Sequence, residues 1–151
     1  MAMLTIQVSK DPARSAIARL GHGMSELARG FAAVTVPREL AARRGNPTAN
    51  SLRPWGDACK GLYRLRGTAM VPEGCRSEFG RVLIGLEPVG GEARDAEALG
   101  RLGIALYSGR LGSDGALRRT QGGVRLAPEL MDLILQRVAG GEDLRSEEHT
   151  S

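Results

Sequence analysis

Ala13-Arg-Ser-Ala-Ile-Ala-Arg-Leu-Gly-His-Gly-Met-Ser-Glu-Leu-Ala-Arg-Gly-Phe31 is the stretch on which the fold turns. Its apolar residues Ala13, Ile17, Leu20, Met24, Leu27 and Phe31 are separated by 4, 3, 4, 3 and 4 positions. That spacing lines up along one side of an α-helix. Just before it, Asp11 suits an N-cap and Pro12 suits the first helical position. The pattern predicts a long amphipathic helix from about residue 12 to residue 33. Gly21, Gly23 and Gly30 lie off the stripe, and each costs a helix about 1 kcal/mol relative to alanine. Such a helix must dock its stripe to be stable, which makes Ile17, Leu20, Met24, Leu27 and Phe31 the candidate interface residues.

Working outward, Met3-Leu-Thr-Ile-Gln-Val8 alternates apolar and polar residues and predicts a half-buried strand. Val34-Thr35-Val36 ends the helical pattern, and Pro37 can open a short helix through Arg44. From Gly45 to Gly80 periodicity fades. Asn46-Pro47, Arg53-Pro54 and Pro72-Glu73-Gly74 signal turns around a small apolar cluster at Leu62, Tyr63 and Leu65. Arg81 to Leu86 and Ile104 to Tyr107 read as strands, and Gly91 to Leu102 as a helix. Ala116 to Leu126, centred on Gln121-Gly122-Gly123, reads as a hairpin. Pro128 opens a helix to about 139, stopped by Gly140-Gly141. The expected class is α+β. It has an N-terminal strand and long helix (1–44), an irregular or mixed α+β region (45–126), and a terminal helical segment (127–144).

Composition narrows the functions. The 151 residues carry a net charge of +4, the positive charges almost all arginine, with short doublets at Arg43-Arg44 and Arg118-Arg119 but no run of five or more like charges. That gives no sign of a nucleic-acid-binding arm. Two Phe, two Tyr and one Trp leave few large anchors for a core. Cys59 and Cys75 are too few for a disulfide framework or a zinc site, and read as reduced thiols. His22 is the only histidine before residue 149, so no Ser/His/Asp or Cys/His arrangement can be assembled around a choice of bases. The glycines between 85 and 91 match neither dinucleotide nor phosphate-loop spacing. The expectation is therefore a chain without catalytic residues, cofactor or metal. With no signal peptide and no membrane-length apolar run, it is expected in the cytoplasm on synthesis.

Three resemblances add to this. The strand Met3–Val8, then Asp11, Arg14-Ser-Ala-Ile-Ala-Arg-Leu20, Met24, Leu27 and Phe31, resembles the opening of the phage virion morphogenesis (tail-completion) family. The Pro54-Trp55 pair also fits that family, but its Thr-Gly-x-Leu segment is absent. The resemblance implies a non-enzymatic, virion-associated assembly protein that contacts phage structural subunits or itself through the first helix. Ala127-Pro-Glu-Leu-Met-Asp-Leu-Ile-Leu-Gln-Arg-Val-Ala-Gly-Gly-Glu-Asp-Leu144 resembles the first helix and turn of the helix-turn-helix in phage small-terminase proteins. It implies a DNA-packaging role, with Arg137 touching DNA weakly and without sequence preference, and with the recognition helix beyond Leu144 lost. Arg145-Ser-Glu-Glu-His-Thr-Ser151 resembles a translated sequencing adapter. It implies an exposed, poorly ordered tail on a truncated or frame-damaged gene product, and a third reading is a spurious frame with no function.

Overall fold

The computed structural model describes residues 2–8, 16–22, 24–58, 60–101, 104–109, 111–112, 117–118, 120, 122–139 and 144–150. Eight strands are described: β1 (Ala2–Val8), β2 (Ala16–His22), β3 (Ser25–Ala33), β4 (Gly61–Met70), β5 (Val82–Gly90), β6 (Ala105–Tyr107), β7 (Val124–Leu126) and β8 (Leu144–Thr150). Between them stand α1 (Arg38–Arg43), α2 (Arg76–Phe79), α3 (Glu92–Ala98) and α4 (Pro128–Ala139). The strands close into a barrel in the order β1-β2-β3-β7-β6-β5-β4-β8. Most pairs are antiparallel, but β1 runs parallel to β8 and β6 runs parallel to β7. The first three strands thus stand side by side, the middle four follow in reverse order, and β8 closes the wall between β4 and β1.

The predicted α+β architecture is overturned. Ala16–His22 and Ser25–Ala33 pair as antiparallel strands, with Ile17 opposite Phe31 and Leu20 opposite Ala28. The helix start expected at Asp11-Pro12 lies outside the described residues. The physical reason is in the small residues. Ala16, Ala18 and Leu20 alternate into the barrel, and so does Ala32. Opposite them Gly30 is pressed to within 3.4 Å of Ala127 and Leu130 on α4, measured from where its Cβ would be. Alanine and glycine carry almost no hydropathic signal, so the period of two is masked. The larger apolar residues happen to fall at a period near 3.6. Of the off-stripe glycines, Gly23 lies outside the described residues, while a Cβ at Gly21 would meet Ser25 O at 3.1 Å and one at Gly30 would meet Leu130 of α4 at 3.4 Å.

Two further expectations change. Residues 116, 119 and 121 of the expected 116–126 hairpin lie outside the described residues; its last strand, β7, pairs in parallel with β6, Leu106 opposite Val124 and Tyr107 opposite Arg125. The expected loose tail is also replaced: residues 144–150 form β8, seated between β1 and β4. The strands at Met3–Val8, Arg81–Leu86 and Ile104–Tyr107 fall within or next to β1, β5 and β6. The helices at 38–43, 92–98 and 128–139 stand where the sequence indicates them.

The core is the barrel interior. Leu4, Ile6, Leu20, Tyr63, Ile84 and Leu106 are fully buried, as are Val124 and Leu126. Leu130, Met131 and Ile134 of α4 complete the same cluster. At about 25 cal/mol per Å² of buried apolar surface, this cluster is the main source of stability. No described helix is long and apolar enough to cross a membrane.

Candidate functional site: an aromatic pocket beside β6 and β7

The site begins with a loop whose path the sequence constrains tightly. Between α1 and β4, Asn46 is almost fully buried and acts as an internal clamp. Its Nδ2 donates to the carbonyls of Asn50 (3.0 Å) and Pro54 (3.2 Å), and its Oδ1 accepts from Asn50 N (2.9 Å). Asn suits this because its amide copies a main-chain turn. Asp57 pins the far end: it accepts from Val36 N at 2.9 Å and takes the Arg38 guanidinium in a fork at 3.2–3.3 Å. The clamped loop forces Trp55 to φ +65° and Ala49 to φ +50°. The left-handed region costs a non-glycine residue of order 1–3 kcal/mol and persists where surroundings over-determine it.

Arg101 ties this loop to the strands. Its guanidinium, 3% exposed, donates to the carbonyls of Ser51, Asp57 (2.7 Å), Gly56 (3.0 Å) and Gly122 (2.6 Å). Five donors in a fixed fork suit arginine to this role, where lysine would fail. A second arginine, Arg125 on β7, is 1% exposed and holds the neighbouring segment. It donates to the carbonyls of Glu78 (2.5 Å) and Ser108 (2.6 Å) and to Glu78 Oε1 (2.7 Å). Glu78 also takes Arg118 at 2.5 Å.

Between these two staples lies a cavity of about 370 Å³. Pro54, Trp55, Phe79, Leu83, Ile104 and Tyr107 give it an apolar and aromatic wall, and Arg101, Ala105, Gly122 and Gly123 complete it. The rings are fixed in place. Phe79 meets Tyr107 edge to face, with centroids 5.1 Å apart at 78°. Arg125 Cζ sits 4.9 Å from the Tyr107 ring, and Arg44 Cζ sits 4.8 Å from the Trp55 ring. Glycine is required at 123: a Cβ there would lie 2.6 Å from Ala105 O and 2.8 Å from Tyr107 Cε1. The missing side chain lets β7 lie close to β6 and keeps the cavity open.

The residues singled out from the sequence lie elsewhere. Leu20 is fully buried inside the barrel. Ile17 is half-buried on the outer side of β2. Met24, Leu27 and Phe31 are exposed, at 103%, 41% and 62%. Arg137 is half-buried in the last turn of α4. None of them lines the cavity. The sequence had hinted at the pocket only through the Pro54-Trp55 pair and the Gly122-Gly123 doublet.

No family model and no curated protein matches the chain. Among solved structures it is similar to Bd1075 of Bdellovibrio bacteriovorus, with a TM-score of 0.56 and 16% identity. That match covers 95% of this chain and 46% of Bd1075. The helical cell shape determining protein Pgp2 from Campylobacter jejuni gives a TM-score of 0.56 at 11% identity, over 99% of this chain and 48% of Pgp2. An L,D-transpeptidase from Mycobacterium smegmatis is similar at a TM-score of 0.46 and 11% identity, over 98% of this chain and 59% of that protein. The chain thus spans about half the length of the first two. At these identities the likeness is one of fold.

Proposed function

We propose that the chain is a non-enzymatic binding protein whose pocket takes a small ligand with a planar or apolar group. One observation carries this reading: three of the five aromatic residues in the whole chain, Trp55, Phe79 and Tyr107, line a single cavity. Ligand pockets are typically concave, apolar and aromatic, with a few fixed polar groups. A further support is the chemistry of the wall. Among the described residues that line it, there is no serine, threonine, cysteine, histidine, lysine or carboxylate. Nucleophilic or general acid–base catalysis draws on those side chains and on tyrosine, of which Tyr107 is the one example in the wall. Recognition by stacking needs none of them, and each aromatic contact contributes about 0.5–1.5 kcal/mol beyond area burial.

Trp55 is the only tryptophan, so its emission reports on this pocket alone. The test is a fluorescence titration with phenyl-, naphthyl- and indolyl-bearing compounds. Soluble cell-envelope fragments belong in the panel because Pgp2 is described as determining cell shape. Saturable quenching or a spectral shift is expected, and it should be lost in Ala105→Leu, which fills the cavity from β6. No response across the panel, or a response unchanged by Ala105→Leu, would sink the reading.

The virion-assembly reading keeps one supporting observation, the exposed Met24, Leu27 and Phe31. The packaging reading keeps only the helix at 128–139.

A further inference from the structure

We propose that the outer edge of β3 is a self-association surface, on which two copies of this chain pair antiparallel along Ser25–Gly30 about a two-fold axis near Ala28. This inference is independent of the pocket. It starts from an asymmetry in the barrel wall. β3 pairs with β2 along its whole length, from Ser25 to Ala32. On its other side it pairs with β7 only at Ala32 and Ala33. Among the described residues, the stretch before Ala32 therefore has a strand on one side alone. Phe31 O turns away from β2 and accepts from Ala127 N at 3.0 Å. Main-chain groups two residues apart on a strand point the same way, so Arg29 presents its N–H and C=O at the open edge. An edge of this kind is a template for another strand.

The side chains on the hairpin support the same conclusion. Of the six large apolar residues exposed on the described surface, Met24, Leu27 and Phe31 belong to this one hairpin. A bulge opposite Leu20 and Gly21 makes Leu27 an extra residue in β3, and bulges re-aim side chains in this way.

The charges select a second copy as the occupant. Bulges and charges usually blunt an edge, because a like-charged partner is repelled. Here the edge carries one acid and one base on opposite sides of Ala28. Glu26 already bonds Arg29 within the chain at 3.0 Å and Arg19 at 3.4 Å. An antiparallel two-fold near Ala28 brings Glu26 of each copy alongside Arg29 of the other. The edge is thus complementary to itself, as an isologous interface requires.

The test is sedimentation equilibrium of the full chain over a concentration series. A mass twice that of the chain is expected at the upper end. Leu27→Lys places two ammonium groups at the seam, and Arg29→Pro removes the edge N–H, a change tolerated on edge strands. Each should return the mass to that of one chain, a twofold drop, with an unchanged circular dichroism spectrum. Should Arg29→Pro fail to fold, Leu27→Lys decides alone, since its side chain is already solvent-exposed. A single-chain mass throughout, or a dimer indifferent to Leu27→Lys, overturns the proposal.

Discussion

Trp55 combines two properties that rarely meet in one residue. It holds a left-handed backbone at φ +65° and lines a cavity with its ring. A glycine would relieve that strain, since it populates positive φ freely. It would also remove the ring and the Arg44 contact. These effects oppose each other, each of order 1 kcal/mol. Trp55→Gly is therefore expected to change unfolding free energy by no more than about 1 kcal/mol while removing ligand-induced thermal stabilisation. Urea unfolding and a thermal-shift assay with the same ligand separate the two. A large loss of stability with ligand binding intact would show that Trp55 is a packing residue. Ser146 makes the opposite case. It is fully buried in β8, and its Oγ meets no hydrogen-bond partner among the described residues. An unsatisfied buried hydroxyl costs about 1–3 kcal/mol, so Ser146→Ala should raise stability by about 1 kcal/mol. Destabilisation on urea unfolding would mean that the hydroxyl is bonded after all.

At the scale of elements, legibility followed side-chain size and hydropathic contrast. The helix at 128–139 was readable because Leu130, Leu133, Ile134 and Val138 stand out against Glu129, Asp132 and Gln136. The strand at Met3–Val8 was readable for the same reason, through its clean alternation. The hairpin of β2 and β3 was not, because its inward positions, Leu20 apart, are alanines and a glycine. β4 was only a short apolar cluster in the sequence, since Arg64, Arg66 and Thr68 face solvent. The pocket was illegible as a site. Its walls come from residues 54–55, 79–83, 101–107 and 122–123, and only barrel closure brings them together. β8 is illegible because residues 145–150 are all polar and carry no apolar alternation, while main-chain pairing on both flanks holds the strand. Deleting residues 144–151 should therefore lower the melting temperature sharply and promote aggregation, by exposing the facing edges of β1 and β4. An unchanged melt after the deletion would return these residues to the status of a dispensable tail.

For the whole molecule, closure depends on pairing across great sequence distances. β1 meets β8 over nearly the entire chain, and β3 meets β7 across more than half of it. Loop-closure entropy must be overcome before such contacts stabilise anything. Refolding after denaturant dilution is thus expected in milliseconds to seconds rather than microseconds. Stopped-flow fluorescence of Trp55 measures it, and a microsecond phase carrying the full amplitude would contradict the topology.

The parallel seam between β1 and β8 has a bearing on synthesis. A ribosome releases β1 well before its neighbour β8. Throughout translation the nascent chain carries a strand that is paired with β2 on one flank and open on the other. The growing polypeptide is exposed to strand-adding contacts for as long as elongation lasts. Slow codons between the two strands would lengthen that exposure, and a chaperone that shields extended segments would have this chain as a client until β8 is inserted.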